Sequence, residues 1–289
     1  MLFFKRILKF KHDALARLRD KRKAERYNVG PYFSLKGSVN LVGVDSHGNL
    51  LVPKDGTGHG WGGHLANISS SGVSLSLPPA AVTTRGEKTM LKLTLENHEV
   101  QIPCVVAHFR VLSSSAVCGL ELQFTNFAPQ KSYLQLLEAV AIGALMAPVD
   151  SSQGKRHPSG LVSDQYRATG KAELTVFREA SSKALDSFEL VVGEHVIRGE
   201  AKLKELGVYA RGTTTKPFKP GTTASASPAL HEEVRRLFRW IVPNLTKAVP
   251  SDVRAFLKPF AERRAASRPA VDSYPQAWRP PGGSASLVK

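Results

Sequence analysis

Residues 89–112 read TMLKLTLENHEVQIPCVVAHFRVL, and apolar side chains recur there at nearly every second position. A period of two is typical of β-strands with one buried face. Three similar runs lie nearby: FSLKGSVNLVGV at 33–44, GVSLSL at 72–77 and AVCGLELQF at 116–124. Five strand-like runs separated by Gly-, Pro-, Ser- and Asn-rich turns predict a small antiparallel β-barrel or sandwich. The fold class is therefore mainly β, with added helices.

The residues that follow these strands predict one helix and then a break in the fold. In APQKSYLQLLEAVAIGALM, residues 128–146, apolar side chains share one helical face: Tyr133, Leu134, Leu137, Val140 and Ala141. We expect this helix to pack against the barrel or to close one of its ends, which gives a barrel domain at 21–147. Residues 148–163 are polar and interrupted by Pro and Gly, as is typical of a linker.

Residues 164–268 predict a C-terminal α+β region. Three strand-like runs, KAELTVFRE, SFELVVG and HVIRGEAKLKELGVYARG, precede two helices. The first helix starts at Ser227 and Pro228 and carries a regular apolar stripe: Leu230, Val234, Leu237, Phe238, Ile241 and Leu245. Pro259 should kink or end the second helix. Residues 269–289 are rich in Pro, Gly and Ser and predict a disordered tail.

The chain is strongly basic. Its 289 residues include 40 Lys or Arg and 24 Asp or Glu, a formal charge of +16, which favours phosphate-bearing partners such as nucleotides, nucleic acid or an anionic membrane. Residues 1–20 predict a basic amphipathic helix, with Phe4, Ile7, Leu8, Leu15 and Leu18 near one face. Such a helix would dock on protein or lie on an anionic membrane surface.

The sequence also predicts where the protein acts. No stretch approaches the roughly 18 consecutive apolar residues of a membrane span, and the N-terminus lacks the apolar run of a secretory signal. The two cysteines, Cys104 and Cys118, lie in apolar strand-like settings and form neither a disulfide scaffold nor a metal-binding framework. We expect reduced thiols in a cytoplasmic protein, with peripheral attachment at the inner membrane surface as an option.

Two short motifs carry the functional signal. RDKRKAERYN, residues 19–28, places Arg22 and Arg26 four residues apart, and NISSSGVSL, residues 67–75, spaces Asn67, Ser69 and Gly72 as N-x-S-x-x-G. An R-x-x-x-R ahead of a small β-barrel, with [D/N]-x-S-x-x-G on its surface, resembles the PilZ family, the bacterial receptor domains for cyclic di-GMP. GLELQFTNFAPQKSYLQLLEAV, residues 119–140, resembles the family's final strand and closing helix. The resemblance covers about residues 20–145.

The resemblance implies that Arg22, Arg26, Asn67, Ser69 and Gly72 bind cyclic di-GMP, with no cofactor and no metal. A guanidinium can fork onto phosphate oxygens or onto the O6/N7 edge of guanine, so the arginines would wrap the ligand. Asn67 and Ser69 would offer hydrogen-bonding groups, and Gly72 would let the backbone turn or approach the base. We interpret the protein as a receptor that changes conformation and signals to a protein partner through its N-terminal helix or C-terminal region.

The Gly- and His-rich insert HGNLLVPKDGTGHGWGGH, residues 47–64, predicts an exposed hairpin loop near the ligand side. GHGWGG fits G-x-G-x-x-G, but a strand-like run follows it instead of the helix that would hold a pyrophosphate. His59 and His64 lack a Cys or carboxylate pattern to complete a metal site. Trp61 is expected to pack as a cover or to stack on a purine.

Other classes of function stay open. A degenerate PilZ-like barrel would bind no nucleotide and serve as an interaction adaptor, and the basic ends would suit nucleic acid, although no aromatic-interleaved basic strand favours it. Asn67 and Ser69 would then simply bond their own turn, and Arg22 and Arg26 would be solvated charges. The sequence has no P-loop, H-E-x-x-H or nucleophile elbow, so we predict no enzyme.

Overall fold

The computed structural model of the chain contains two antiparallel β-sheets and three α-helices in its described parts. It describes residues 24–42, 47, 49, 58–150, 154–157, 160–168, 170, 172–203, 206–210 and 228–262. The helix predicted at 1–20, Arg22 and the tail predicted at 269–289 lie outside these ranges. Within them, no helix combines the length and the apolar character needed to span a bilayer.

The first sheet is a closed barrel. Its strands are β1 (Arg26–Asn28), β2 (Lys36–Leu41), β3 (His59–Ser69), β4 (Gly72–Leu77), β5 (Lys88–Leu95), β6 (His98–Val111) and β7 (Ala116–Leu122). Six of them follow the order β3-β2-β5-β6-β7-β4, and β4 pairs back onto β3 to close the ring. The short strand β1 pairs with the last three residues of β3. The predicted antiparallel barrel is confirmed.

The prediction of an exposed hairpin loop at residues 47–64 is wrong for residues 59–64. These residues form the start of β3 and pair with β2. Glycine has a low β-propensity, but pairing partners and close packing override it here. A Cβ on Gly63 would lie 2.6 Å from the backbone carbonyl oxygen of Ser76, which cannot move aside, so the close packing there favours glycine. The indole N–H of Trp61 donates to the carbonyl oxygen of Leu41 at 3.1 Å, which fixes the ring on the neighbouring strand.

Helix α1 (Phe127–Leu145) follows the barrel and matches the predicted helix within one residue at each end. Its buried residues are Tyr133, Leu136, Leu137, Ala139, Val140, Ala141, Ile142 and Gly143. Except for Gly143, they belong to the same hydrophobic core as the inward-facing residues of the barrel strands. The helix packs against β1 and β6 of the barrel, as its periodicity predicts, and also against the C-terminal segments Pro228–Ile241 and Val242–Asn244.

The second sheet consists of β8 (Ala147–Pro148), β9 (Lys155–Arg156), β10 (Leu161–Ala168), β11 (Ala172–Glu179), β12 (Leu185–Val192), β13 (His195–Glu200) and β14 (Leu206–Ala210). Its order is β14-β13-β12-β11-β10-β8, and β9 also pairs with β10. Parts of the predicted linker thus belong to this sheet. The long run predicted after His195 is two strands, since the chain turns at residues 201–203.

Two helices cover one face of the second sheet: α2 (Pro228–Ile241), continued by a short 3-10 helix (Val242–Asn244), and α3 (Ser251–Glu262). Phe188 of β12 stacks on Phe238 of α2 at a centroid distance of 5.4 Å and meets Phe260 of α3 edge to face. Arg178 bonds Asp164 at 2.9 Å and Asp252 at 2.7 Å, which ties the sheet to the first turn of α3. Pro259 lies inside α3, which continues to Glu262.

The barrel and the C-terminal helices meet at Asn244, whose side chain is 3% exposed. Its Oδ1 accepts a hydrogen bond from the backbone N–H of Gly30 at 2.7 Å, and its Nδ2 donates to the carbonyl oxygen of Trp240 at 2.7 Å. Gly30 and Gly143 both pack so closely here that a Cβ on either would collide with Pro243 or Asn244. One amide thus joins the segment after β1 to the end of α2.

Candidate ligand-binding site

The pairing of β1 with β3 brings Arg26 of the first sequence motif to the second motif. Arg26 lies opposite Ser69, and Asn28 lies opposite Asn67, in antiparallel register. Between them, Tyr27 and its partner Ile68 are buried in the barrel. Because side chains alternate along a strand, the other four side chains point to the side away from the core, with facing Cβ atoms about 4.5–5.5 Å apart. On that side Arg26 and Asn28 are exposed, Asn67 is half-buried and Ser69 is buried. A three-residue strand therefore presents a guanidinium to the N-x-S-x-x-G motif.

Ser69 and Gly72 form the base of the β3–β4 turn. Ser69 Oγ accepts a hydrogen bond from the backbone N–H of Gly72 at 3.1 Å, and its hydroxyl donates to the carbonyl oxygen of Gly72 at 3.1 Å. The Ser69 side chain is 4% exposed. The sequence analysis gave such bonding within its own turn as the alternative role of Ser69. The hydroxyl stabilises the turn, and the turn fixes the position of the end of β3.

Close packing against the neighbouring strand β7 requires glycine at position 72. A Cβ at this position would lie 2.6 Å from the backbone carbonyl oxygen of Leu120 on β7, and backbone cannot move aside as a flexible side chain can. Glycine therefore lets β4 and β7 approach at the turn. The sequence assigned this glycine to a backbone turn or to close approach of the ligand, and the barrel itself already accounts for it.

Tyr133 supports the same turn from inside the fold. Its Oη donates a hydrogen bond to the backbone carbonyl oxygen of Ser69 at 2.6 Å. Burial raises the pKa of this phenol well above its ordinary value, so the hydroxyl stays protonated and serves as a donor. The helical periodicity indicated that Tyr133 faces the core but carried no signal of this bond, because its acceptor is a backbone atom 64 residues away.

The outer surface continues across the barrel from Asn67. In the next strands Asn67 pairs with Ser74, Ser74 pairs with Gly119, and Gly119 pairs with His108. Two residues before Ser74 on β4, Gly72 pairs with Glu121. We call the outward-facing residues of these strands the polar face: Arg26, Asn28, Asn67, Ser69, Gly72, Ser74, His108, Gly119 and Glu121. Of the five residues predicted to bind the ligand, the structure thus assembles Arg26, Asn67, Ser69 and Gly72.

The polar face lies within the part of the chain that a family comparison recognises. Residues 20–140 match the family model described as PilZ domain. These residues form a PilZ domain. The resemblance read from the two motifs is confirmed, and the PilZ domain includes the barrel and most of α1.

Solved structures of other PilZ domains also resemble the chain. The PilZ domain of CeSA from a cellulose synthesizing bacterium is 12% identical with a TM-score of 0.26, and the match covers 39% of this chain and 94% of that one. The PilZ domain of YcgR from Escherichia coli, solved with c-di-GMP, is 9% identical with a TM-score of 0.26, and the match covers 39% and 86%. A search of curated proteins gives no match for the chain.

The histidines of the glycine-rich insert do not belong to a metal site in the described part of the chain. His59 and His64 both lie in β3, and their odd spacing puts them on opposite sides of the strand. Among the described residues, no three His, Cys, Asp or Glu side chains cluster closely enough to hold a metal ion. The candidate site is the polar face, on which the register of β1 and β3 holds Arg26 beside Ser69 and Asn67.

Proposed function

We propose that the PilZ domain of this chain is a receptor for cyclic di-GMP and that the nucleotide binds on the polar face. The observation that carries the proposal is the register of β1 on β3, which holds exposed Arg26 beside the N-x-S-x-x-G motif. Arg26 and the N-x-S-x-x-G motif therefore share one surface. Arg26 needs no rearrangement of the chain to reach a ligand bound at Asn67.

In this proposal each residue has a distinct task. Arg26 forks onto a phosphate or onto the O6/N7 edge of a guanine, and Asn67 offers one donor and one acceptor to the base edge. Ser69 and Gly72 act mainly through the shape of the turn that positions Asn67. Arg22 supplies the second guanidinium and stays a prediction from the sequence.

The contact between Gly30 and Asn244 supports a route for the signal. Gly30 lies two residues beyond β1, so a ligand that holds Arg26 also restrains the segment that bonds to Asn244. Asn244 ends the 3-10 helix after α2, and α2 covers the second sheet. We infer that nucleotide binding shifts the position or the mobility of α2, and that the C-terminal region presents this change to a protein partner.

Calorimetric titration with cyclic di-GMP tests the binding. We expect wild type to bind, and Arg26→Ala to bind about 10- to 150-fold more weakly, the usual effect of losing a hydrogen bond to a charged group. Arg167→Ala is the matched control, because Arg167 is an exposed arginine on the second sheet paired with Glu173. A wild type that ignores the nucleotide would refute the receptor function. Equal affinities for wild type and Arg26→Ala would refute the assigned site.

A second candidate function is an adaptor that binds no nucleotide. The observation that favours it is Ser69, whose hydroxyl already makes two bonds inside its own turn. Under this alternative the polar face is a surface for another protein, and the titration shows no heat with cyclic di-GMP. The same experiment therefore separates the two functions.

A further inference from the structure

His108 on β6 lies with its imidazole ring over Gly119 of the neighbouring strand β7. The ring occupies the space that a side chain at position 119 would need. Three ring atoms, Cε1, Nδ1 and Nε2, lie at similar distances from the site of that absent Cβ, so the ring covers Gly119 with its face. His108 is exposed, whereas Gly119 beneath it is buried. The opposite face of the imidazole therefore points away from the barrel.

This ring lies on the polar face, two strands away from Asn67. Asn67, Ser74 and Gly119 lie side by side on β3, β4 and β7. Neighbouring antiparallel residues have Cα atoms about 4.5–5.5 Å apart, so Asn67 and Gly119 are about 10 Å apart. Ser74 between them has a small side chain and is 7% exposed. Asn67 and the His108 ring therefore lie on the same face, with only Ser74 between them.

We propose that His108 is a further binding residue, which stacks on a base of the nucleotide bound at Asn67. The inference rests on the proposed function. A planar base lying over the imidazole would stack its face on the ring and turn one edge toward the Asn67 amide. Aromatic side chains, histidine included, bind bases by stacking in this way. The two residues would then recognise different features of one base, its edge and its aromatic face.

The position of the His108 ring depends on residue 119 being glycine. Any Cβ at this position must displace the ring, because the ring atoms already fill its place. Gly119→Ala should therefore weaken nucleotide binding although residue 119 itself touches no ligand. His108→Phe keeps an aromatic ring and should retain most of the affinity, whereas His108→Ala removes the stacking surface.

Titration of cyclic di-GMP into these variants tests the inference. His108→Ala should weaken binding about 5- to 150-fold, the range that corresponds to losing one base–aromatic stack. Gly119→Ala should also weaken it, with His108→Phe close to wild type. His59→Ala is the matched control, because His59 is an exposed histidine at the far end of β3. Thermal melts identify any variant that fails to fold, and the pair at position 108 decides the question even if Gly119→Ala unfolds.

The outcomes separate this inference from the function on which it rests. If wild type binds, Arg26→Ala loses affinity and His108→Ala binds like wild type, the role of His108 is refuted and the receptor function stands. If wild type does not bind, the function and the inference both fail. If His108→Phe loses as much affinity as His108→Ala, stacking is refuted as the reason for the effect.

Discussion

Replacing Asn244 by Ala should uncouple the barrel from the C-terminal helices and destabilise the fold. The carboxamide satisfies two backbone groups, the N–H of Gly30 and the carbonyl of Trp240, each at 2.7 Å. Asn244 is 3% exposed, so water cannot easily replace the lost bonds. An unsatisfied buried polar group costs about 1–3 kcal/mol, and two of them give an expected loss of about 2–6 kcal/mol in the free energy of unfolding.

Urea denaturation followed by circular dichroism measures this loss. Asn126→Ala is the matched control, because Asn126 is exposed and makes no side-chain capping bond at the start of α1, so its replacement should change stability by no more than about 0.5 kcal/mol. Amide exchange adds a local readout, since the N–H of Gly30 should exchange faster in Asn244→Ala. A loss below about 0.5 kcal/mol, with unchanged exchange at Gly30, would refute the reasoning that this amide joins the two parts.

Two further predictions concern an exposed histidine and two buried cysteines. Partial desolvation and the nearby Arg236 lower the pKa of His98, so its contribution to stability should be full above pH about 6.5 and should be lost as the pH falls through the folded-state pKa. Urea midpoints at pH 7.5 and 5 should therefore differ less in His98→Gln than in wild type, and equal differences would contradict this. Burial raises the pKa of Cys104 to about 12 and that of Cys118 to about 11, so neither thiol should react with a disulfide reagent at pH 8 until the protein is unfolded. Rapid labelling of the native protein would contradict their burial.

The sequence predicted the barrel strands well where local alternation carried the signal. The runs around β2, β4, β5, β6 and β7 all alternate, because one face of each lines the core. Strand β3 (His59–Ser69) escaped recognition altogether, since the glycines of its first half lack the side chains that create a pattern. Strand β10 escaped for another reason: it begins in a stretch whose Pro, Gly and Ser residues resembled a linker, and its polar side chains find partners only in the folded sheet.

The residues of the candidate site likewise fall into those that the sequence could identify and those that it could not. Arg26, Asn67, Ser69 and Gly72 could be selected because two short motifs have fixed spacings. His108 and Gly119 could not, since their contact depends on the register between β6 and β7, which includes an irregularity between Val106 and His108. The interaction of Asn244 with Gly30 spans 214 residues, a separation over which a single sequence carries no pairing information.

The outer edge of β10 carries a consequence for self-association. Two strands of only two residues each, β8 and β9, pair with β10 at its two ends. Between them, the N–H of Val149 donates to the carbonyl of Gln165 at 2.9 Å, and the N–H of Gly154 donates to the Asp164 carboxylate at 3.1 Å. A β-strand from another molecule would have to displace several separate contacts to pair with β10. This edge of the sheet is therefore a poor template for aggregation.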